Sequence, residues 1–351
     1  MKLREVRGMN IVVPAETYPM ERRVMVLPTS AKVLVEAGHS VFVQAGASSG
    51  IKIPDSKYVE AGATIISDAA QLYVQLAASE RNGMVIKMKA PSPAEFSFMR
   101  RAILFCMLHI EQNKTRLWYM GSQELVGVAM DDIRDERGKR MIDQTDITGM
   151  MGVYYAIRHF DKLPSDMKAI ILGYGHVASG AITACAKLGV QYKIMRRSEL
   201  KHLPQLLRDA DILINAIAWP KSAREKREYL VTRADIQNSN PSMIVLDLSV
   251  DFPNPIETVR STDYQNPFYI EEGRVHISIY GYPGLVPVSS SRIYSEQVLP
   301  IALAIANNDG LVGIGKVEEL GSHIHRAIID PAKYGDLEEF KPKPLTAPRI
   351  E

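Results

Sequence analysis

Two residues that could bind or transform a ligand each follow an apolar run typical of a buried strand. Lys89 ends the run that begins at Met84, and His109 ends the run that begins at Ala102. In open α/β sheets, ligands bind outside the carboxyl ends of the strands, and a histidine can carry a proton near neutral pH. A single lysine at a strand end is usually solvated and a single histidine is usually structural, so the predicted ligand site rests on the pair.

A glycine fingerprint is the second chemical feature. The apolar run 169–172 leads into Gly-x-Gly-x-x-Ala, and a helical pattern and a further strand follow. Gly173 permits a tight turn, Gly175 lacks the Cβ that would block a pyrophosphate, and Ala178 lets the helix pack on the strand. The motif alone could be an ordinary βα turn, but its ordered context predicts dinucleotide binding at the helix N-terminus. The residues assigned to this site are Gly173, Gly175, His176, Val177 and Ala178.

The residues after the second strand of this unit indicate the type of dinucleotide. Cofactors with a free ribose 2′-OH usually meet an Asp or Glu about 20 residues after the fingerprint. Here Arg196 takes that place, followed by Arg197 and Ser198. Two guanidinium groups and a hydroxyl suit a 2′-phosphate, although two solvated arginines at a strand end are the alternative. We predict NADP(H) rather than NAD.

Length, net charge and cysteine content limit the class of protein. The chain has 351 residues and a formal net charge of +2, which predict two domains and give no reason to expect nucleic acid or a membrane as partner. Cys106 and Cys185 lie in apolar runs and are interpreted as buried hydrophobes in a reducing cytosol. No apolar run has the length of a membrane span, and no signal peptide is evident. We expect a cytoplasmic protein without a metal site.

Alternating strand and helix signals predict an α/β fold of two Rossmann-like domains, with mostly parallel sheets flanking a cleft. A helix from about 290 to 307 is long and apolar enough to return to the first domain. We therefore predict a discontinuous substrate domain, residues 1–147 and 283–351, and an inserted NADP(H)-binding Rossmann domain, residues 148–282. The predicted strands are 10–13, 40–44, 84–89, 102–109, 169–172, 191–195, 211–217, 243–251 and 275–279.

These motifs resemble the alanine dehydrogenase and transhydrogenase superfamily over nearly the whole chain. The family's opening proline, glutamate, Glu-x-Arg-Val and proline are similar to residues 14–28. Its Lys-Val-Lys-Glu-Pro resembles residues 87–91, and its strand ending in Leu-His resembles 108–109. Its Val-Asp-Ile-x-x-Asp is similar to residues 246–251.

The resemblance implies roles for individual residues. Arg23 and Lys89 would hold the substrate carboxylate and keto oxygen, and His109 would be the acid/base. Asp251 would assist at the reacting centre, and Glu111 and Asp251 could anchor the far amino group of a diamine. Further cofactor-binding residues are expected at Thr145, Ala216 and Ile217.

Departures from the family's motifs indicate which members of the superfamily the chain resembles most. A glycine-rich segment before the cofactor strand of alanine dehydrogenases is missing here, and Gly281 stands where their asparagine touches nicotinamide. Residues 195–198, 215–219, 247–251 and 255–258 look most like the N5-(carboxyethyl)ornithine synthases. Those NADPH-dependent enzymes join pyruvate to the side-chain amine of ornithine or lysine.

The resemblance therefore implies a cytoplasmic, homo-oligomeric opine-type dehydrogenase. It would condense a 2-oxo acid, pyruvate by first choice, with an amino group of an amino acid and reduce the resulting imine. An alanine dehydrogenase using ammonia, a saccharopine-forming reductase, a transhydrogenase-like module and a non-catalytic regulator stay open as alternatives. The lack of a membrane segment and Arg196 argue against the transhydrogenase module, and the intact set of candidate residues argues against the regulator.

Overall fold

The computed structural model describes residues 8–77 and 83–342. The chain divides into two compact units, Met1–Asp143 with Pro287–Glu351, and Gln144–Val286. The predicted α/β class with two mostly parallel sheets is confirmed. The sequence after Lys341 contains three prolines and is predicted to lack regular structure, but residues 343–351 of this tail lie outside the described residues.

The strands within the described ranges are short, and the helices vary more in length. The strands are β1 (Asn10–Val13), β2 (Ser40–Gln44), β3 (Thr64–Ile66), β4 (Met84–Lys89), β5 (Ile103–Met107), β6 (Val126–Ala129), β7 (Lys168–Leu172), β8 (Gln191–Met195), β9 (Ile212–Asn215), β10 (Ile244–Asp247), β11 (Tyr269–Glu271), β12 (Arg274–Ile277) and β13 (Ile328–Ile329). The helices are α1 (Pro28–Glu36), α2 (Ser56–Glu60), α3 (Ala69–Val74), α4 (Pro93–Phe98), α5 (Thr115–Ser122), α6 (Thr145–Ala156), α7 (His176–Leu188), α8 (Leu203–Leu206), α9 (Lys221–Glu225), α10 (Arg233–Gln237), α11 (Pro287–Asn307) and α12 (Glu318–Arg326).

The first unit is built on a sheet with the strand order β13-β6-β5-β4-β1-β2-β3. All neighbours are parallel except β13, which pairs antiparallel with β6. Because β4 and β5 are parallel neighbours, their carboxyl ends share one edge of the sheet. That edge therefore carries both Lys89 and the turn that holds His109, as the sequence predicted.

Helix α11 returns to the first unit and fixes the loop before α1. Ser291 Oγ accepts a hydrogen bond from the Val24 amide at 3.0 Å, and Ser295 Oγ accepts one from the Leu27 amide at 2.9 Å. Ser295 also bonds to the Ser30 hydroxyl at 2.7 Å. These bonds satisfy two amides in the segment just before α1, which has no side-chain cap of its own. They hold the segment that contains Arg23.

The second unit has the strand order β11-β12-β10-β9-β7-β8, with β11 as its antiparallel edge. Helices α6 and α7 approach so closely that only glycine fits at two contacts. A Cβ on Gly180 would lie 1.8 Å from the Asp146 carbonyl oxygen, and one on Gly149 would lie 2.0 Å from that of Val177. This backbone contact fixes the helix that starts at the glycine fingerprint.

Four strands and several helix details differ from the sequence predictions. Strands β3, β6, β11 and β13 were not predicted, because runs of two to four residues give almost no periodic signal. The sequence predicts that Pro28–Ser30 caps the first helix, but the cap position of α1 is Leu27, and Pro28 lies inside the helix. The sequence also predicts a helix over 200–207, where the structure has a 3-10 turn (Arg197–His202) followed by α8. Within the described residues, no helix combines the length and the apolar character needed to cross a membrane.

The contact between α6 and α7 predicts that Gly180→Ala destabilises the protein. The added methyl group has to displace backbone, and overpacking of this kind costs about 1–3 kcal/mol. Thermal unfolding should therefore begin at a clearly lower temperature in Gly180→Ala than in the wild type. Gly315→Ala is the matched control, because a Cβ there would meet no atom within 4 Å. Equal melting temperatures for the two variants would contradict this account of the helix contact.

Candidate active site

Lys89 ends β4 at a break in the pairing with β5. The register shifts between Ile86 and Lys89, and such irregularities are common beside active sites. Glu16 accepts hydrogen bonds from the amides of Met88 at 2.5 Å and Lys89 at 3.2 Å, which fixes the strand end. Burial, followed by the nearby charge of Arg23, lowers the pKa of Lys89 to about 8. Lys89 is therefore mostly cationic at neutral pH but titrates far below an ordinary lysine.

Arg23 forms a bidentate ion pair with Glu21. Its Nε lies 2.7 Å from Oε1 and its Nη2 lies 2.6 Å from Oε2, and the two side chains are only 3% and 0% exposed. Burial acts to raise the pKa of Glu21, but the hydrogen bond and charge of Arg23 outweigh it, so the pKa falls. The guanidinium also stands 5.8 Å from the ring centre of Tyr294 in α11. A carboxylate ligand of Arg23 would have to share the guanidinium with Glu21.

Lys87 is a second buried cation close to this edge. Its Nζ lies 2.5 Å from Glu95 Oε1 and 4.0 Å from Glu16 Oε2. Thr17 donates a further hydrogen bond to Glu95 at 2.5 Å. Burial acts to raise the pKa of Glu95, but the charge of Lys87 and these hydrogen bonds lower it overall. Lys87 is thus compensated inside the protein and supports the strand that carries Lys89.

His109 occupies a strained turn directly after β5. Its φ is +42°, a left-handed conformation that is uncommon for residues with a side chain. The Asp131 carboxylate accepts hydrogen bonds from the amides of Leu108 at 2.8 Å and His109 at 3.1 Å, and it lies 3.3 Å from His109 Nδ1. Arg116 donates to the carbonyl groups of Leu108 and His109. The turn is therefore held at its amides and its carbonyls, with the imidazole facing a carboxylate and 26% exposed.

Asp131 was missed by the sequence analysis because β6 was missed. The strand has four residues and contains Gly127, whose Cβ would lie 2.5 Å from Leu108. Asp131 follows β6 just as His109 follows β5, so the strand-end rule would have found it. Burial acts to raise the pKa of Asp131, but its interactions with His109 lower it overall, so it is an anion at neutral pH. Glu111, which the sequence proposed as a substrate residue, is exposed in the turn beyond His109.

The glycine fingerprint has the geometry of a phosphate cradle. Gly173 has a φ of +101°, and a Cβ on it would lie 2.8 Å from the Ala216 carbonyl oxygen. A Cβ on Gly175 would meet no atom within 4 Å, so open space lies over the turn. Helix α7 begins at His176 with no acidic residue in its first turn, and Ala178 is fully buried. The first amides of α7 have no partner within the helix, so this cradle fits the phosphates of a dinucleotide.

Arg196, Arg197 and Ser198 follow β8 and are all exposed. The acidic residue of this turn, Glu199, accepts a hydrogen bond from the Arg196 amide at 3.1 Å and lies 3.3 Å from Lys193 Nζ. The Arg196 amide and Lys193 together lower the pKa of Glu199. Because that carboxylate is already engaged, the turn presents a cationic surface with one hydroxyl, as a phosphate would require.

The remaining predicted cofactor residues lie in two places of the second unit. Thr145 is the first residue of α6, and Ala216 and Ile217 directly follow β9; all three are partly buried. The Ile217 amide donates to Asn215 Oδ1 at 3.3 Å. Gly281, which replaces the family's asparagine, has a φ of +102°, so a side chain at that position would strain the turn.

Asp247 is a buried carboxylate for which sequence analysis proposed no role. It accepts hydrogen bonds from Asn215 Nδ2 at 2.7 Å, Ser249 Oγ at 3.0 Å, Ser278 Oγ at 2.7 Å and the Val250 amide at 3.1 Å. Burial raises the pKa of Asp247, although these hydrogen bonds oppose it. The carboxylate ties together the carboxyl ends of β9, β10 and β12.

Asp251 follows a second strained residue. Val250 has a φ of +54°, an outlier for a β-branched side chain, and its amide is held by Asp247. Asp251 Oδ2 accepts a hydrogen bond from the Trp219 amide at 3.2 Å, and Oδ1 lies 3.7 Å from Arg224 Nη1. Both side chains of the ion pair are 29% exposed. The turn thus presents a carboxylate beside a guanidinium at the carboxyl edge of the second sheet.

One group of side chains has the spacing of metal ligands. Glu136, Glu319 and His323 offer ligand atoms that all lie within 4.8 Å of one another. Both carboxylates are exposed, an arrangement that is common without a metal. This cluster gives no reason to revise the expectation that the protein has no metal site.

The second unit has the strand, glycine turn and helix of a dinucleotide-binding α/β fold, and the first presents a lysine and a histidine at a sheet edge. Models of known protein families match both parts of the chain. Residues 12–145 match "Alanine dehydrogenase/PNT, N-terminal domain", and residues 192–323 match "Alanine dehydrogenase/PNT, C-terminal domain". The chain belongs to this family, as the sequence motifs predicted. The family is one of oxidoreductases that use a nicotinamide cofactor.

Curated relatives and solved structures agree with the family. Alanine dehydrogenase of Methanococcus maripaludis is 26% identical over 336 residues, and that of Geobacillus stearothermophilus is 28% identical over 337; each alignment covers 85% of this chain and 88% of the relative. The structure of an L-alanine dehydrogenase has a TM-score of 0.80 at 24% identity, covering 95% of this chain and 99% of that one. A Sinorhizobium meliloti transhydrogenase has a TM-score of 0.72 at 23% identity, covering 85% and 94%. Both structures share the fold of this chain.

The contact between His109 and Asp131 predicts a loss of activity in Asp131→Asn. The amide keeps the size of the side chain but removes the negative charge that faces Nδ1. If His109 carries protons, we expect kcat to fall about 10²-fold, within the range that a positioned acid/base contributes. The variant should bind the nicotinamide cofactor as the wild type does. Asp132→Asn, at the neighbouring exposed carboxylate, is the control, and an equal loss in both variants would contradict the assignment of Asp131.

Proposed function

We propose that this protein catalyses the NADPH-dependent reductive condensation of a 2-oxo acid with an amino group of an amino acid. Pyruvate is the proposed 2-oxo acid, and ornithine or lysine is the proposed amine. The observation that carries the proposal is the pair formed by Lys89 and the His109–Asp131 contact on neighbouring strands. It supplies a cation for a carboxylate and a group that can move a proton.

The proposed substrate groups belong to the first unit. Lys89 and Arg23 bind the carboxylate and keto oxygen of the 2-oxo acid and so orient its carbonyl carbon. Glu21 occupies two nitrogens of Arg23, so the substrate shares that guanidinium with Glu21. His109 gives and takes protons as the amine adds to the carbonyl and water leaves. Asp131 keeps the imidazole oriented and balances its positive charge when it is protonated.

The proposed cofactor groups belong to the second unit. Gly173, Gly175 and the first turn of α7 hold the pyrophosphate, and Arg196, Arg197 and Ser198 hold a 2′-phosphate. A bound nicotinamide supplies the hydride that reduces the C=N bond. Asp251 lies on the strained turn at the carboxyl edge of the same sheet, and the resemblance implies a role for its carboxylate beside the substrate.

An alanine dehydrogenase that uses ammonia is the second candidate. The names of the curated relatives favour it. Its chemistry uses the same 2-oxo acid and the same proton transfers, so the groups of the first unit fit both reactions. The two candidates differ in the amine and, through Arg196, in the preferred cofactor.

Arg196 predicts the cofactor preference. NADPH should bind more tightly than NADH, and Arg196→Asp should weaken NADPH binding at least about tenfold, because a hydrogen bond to a charged group contributes about 1.5–3 kcal/mol. Fluorescence titration of both cofactors measures the effect. Lys201→Asp, a charge reversal in the 3-10 turn that follows Arg196, is the control. Equal affinities of the wild type for NADPH and NADH would rule out the proposed 2′-phosphate site.

The lowered pKa of Lys89 predicts how binding of the 2-oxo acid depends on pH. The amine is charged below about 8 and neutral above it, so affinity should be constant below that pH and fall about tenfold per pH unit above it. The affinity is measured by adding oxamate, an unreactive mimic of the 2-oxo acid, to the NADPH complex. No amine substrate is present, so its protonation cannot affect the result. Lys89→Arg stays charged throughout and should bind oxamate without the alkaline decline. The same decline in Lys89→Arg would show that another group is responsible.

The choice of amine tests the proposed function directly. NADPH oxidation with pyruvate should be faster with ornithine or lysine than with ammonia at equal concentration. Mass spectrometry of the product should show a secondary amine that joins the two substrates. Faster turnover with ammonia, and alanine as product, would replace the proposal with alanine dehydrogenase.

A further inference from the structure

The segment after β9 carries two buried polar atoms that the proposed reaction does not yet use. The indole Nε1 of Trp219 and the Nε of Arg224 are buried, and neither has a hydrogen-bond partner among residues 8–77 and 83–342. Leaving a buried donor without an acceptor is unfavourable, and such a group in a native protein calls for a partner that is not part of the chain. Both atoms can only donate. The missing partner is therefore an acceptor, and an anion would suit the guanidinium best.

These donors belong to the two residues that hold Asp251. The Trp219 amide donates to Oδ2 at 3.2 Å, and Arg224 Nη1 lies 3.7 Å from Oδ1. The Arg224 and Asp251 side chains are each 29% exposed, so a ligand can reach them from solvent. A separation of 3.7 Å is also long for a charge-assisted hydrogen bond. Arg224 therefore retains donor capacity beyond its contact with Asp251.

A neighbouring guanidinium and carboxylate are complementary to a zwitterion. An amino acid carries a carboxylate, which a guanidinium can bind through two parallel hydrogen bonds. It also carries an ammonium group, which a carboxylate can accept. Ammonia has no carboxylate and would leave the donors of Arg224 and Trp219 without a partner. The pair formed by Arg224 and Asp251 can therefore distinguish an amino acid from ammonia.

We propose that Arg224 binds the carboxylate of the amino-acid substrate, with Trp219 Nε1 as an additional donor and Asp251 as the acceptor for an ammonium group. This inference rests on the proposed function and specifies the residues that select the amine. Arg224 is a substrate-binding residue here and takes no part in proton or hydride transfer. Its loss should therefore affect the amino acid more than the 2-oxo acid or the cofactor.

The experiment compares an amino acid with the same amine lacking a carboxylate. Ornithine with 1,4-diaminobutane, or lysine with 1,5-diaminopentane, is assayed with pyruvate and NADPH in the wild type, Arg224→Gln and Arg224→Lys. We expect the wild type to prefer the amino acid. Arg224→Gln should lower kcat/KM for the amino acid at least about tenfold and bring the ratio of the two amines close to one. Arg224→Lys should recover part of the loss, because it restores a cation.

Two further measurements separate substrate selection from a general defect. The KM for pyruvate and the affinity for NADPH should stay within about threefold of wild type in Arg224→Gln. Lys226→Gln is the matched control: Lys226 lies on the same segment, its side chain is 73% exposed, and its Nζ is 3.9 Å from Glu228. It should behave as wild type in every assay.

The outcomes distinguish this inference from the proposed function. A wild type that uses the diamine as well as the amino acid has no carboxylate site, and this overturns the role of Arg224 while the condensation stands. An equal loss for both amines in Arg224→Gln also overturns the role of Arg224. A loss of NADPH affinity overturns it too, and indicates that the missing acceptor is part of the cofactor. A wild type that uses ammonia but neither amino acid overturns the proposed function and, with it, the role of Arg224.

Discussion

Buried positive charge at the carboxyl edge of the first sheet is the constraint on which that unit depends. Arg23 and Lys87 are 3% and 1% exposed, and a buried ion is costly unless it is paired and hydrogen-bonded. Glu21 pairs with Arg23, and Glu95 pairs with Lys87. Glu16 uses its carboxylate on the amides that hold Lys89 in place. The carboxylates thus fix the strand end, and Lys89 is left with a lowered pKa.

The two sheets hold the turns that carry their candidate site residues in the same way. In each, a non-glycine residue takes a left-handed backbone conformation in the turn after a strand, and a carboxylate accepts a hydrogen bond from its amide. In the first sheet, these are His109 and Asp131; in the second, they are Val250 and Asp247. Such conformations cost about 1–3 kcal/mol and persist where the surroundings enforce them. In both turns the strained residue coincides with or adjoins a candidate site residue, His109 in the first sheet and Asp251 in the second.

The fold could be predicted where a pattern was long or carried distinctive residues. The apolar run 169–172 of β7 and the glycine pattern after it defined the second unit, since both depend on local chemistry. Strand β6 could not be recognised, because four residues with a glycine give no periodic signal. Its pairing with β5 and the edge strand β13 establishes it as a strand, and those contacts join distant parts of the sequence. Because β6 was not predicted, Asp131 was not recognised as a candidate site residue.

The groups that follow the strand ends could be identified without coordinates: Lys89, His109, Asp251 and the arginines at 196 and 197. This was possible because parallel strands deliver the residues after them to one edge, whatever the details of packing. The partners of those groups, in contrast, depend on how the chain folds. The charge state of Lys89 depends on burial, the orientation of His109 depends on Asp131, and the environment of Asp251 depends on Arg224. The partners of His109 and Asp251 lie 22 and 27 positions away in the chain, so packing had to bring each pair together.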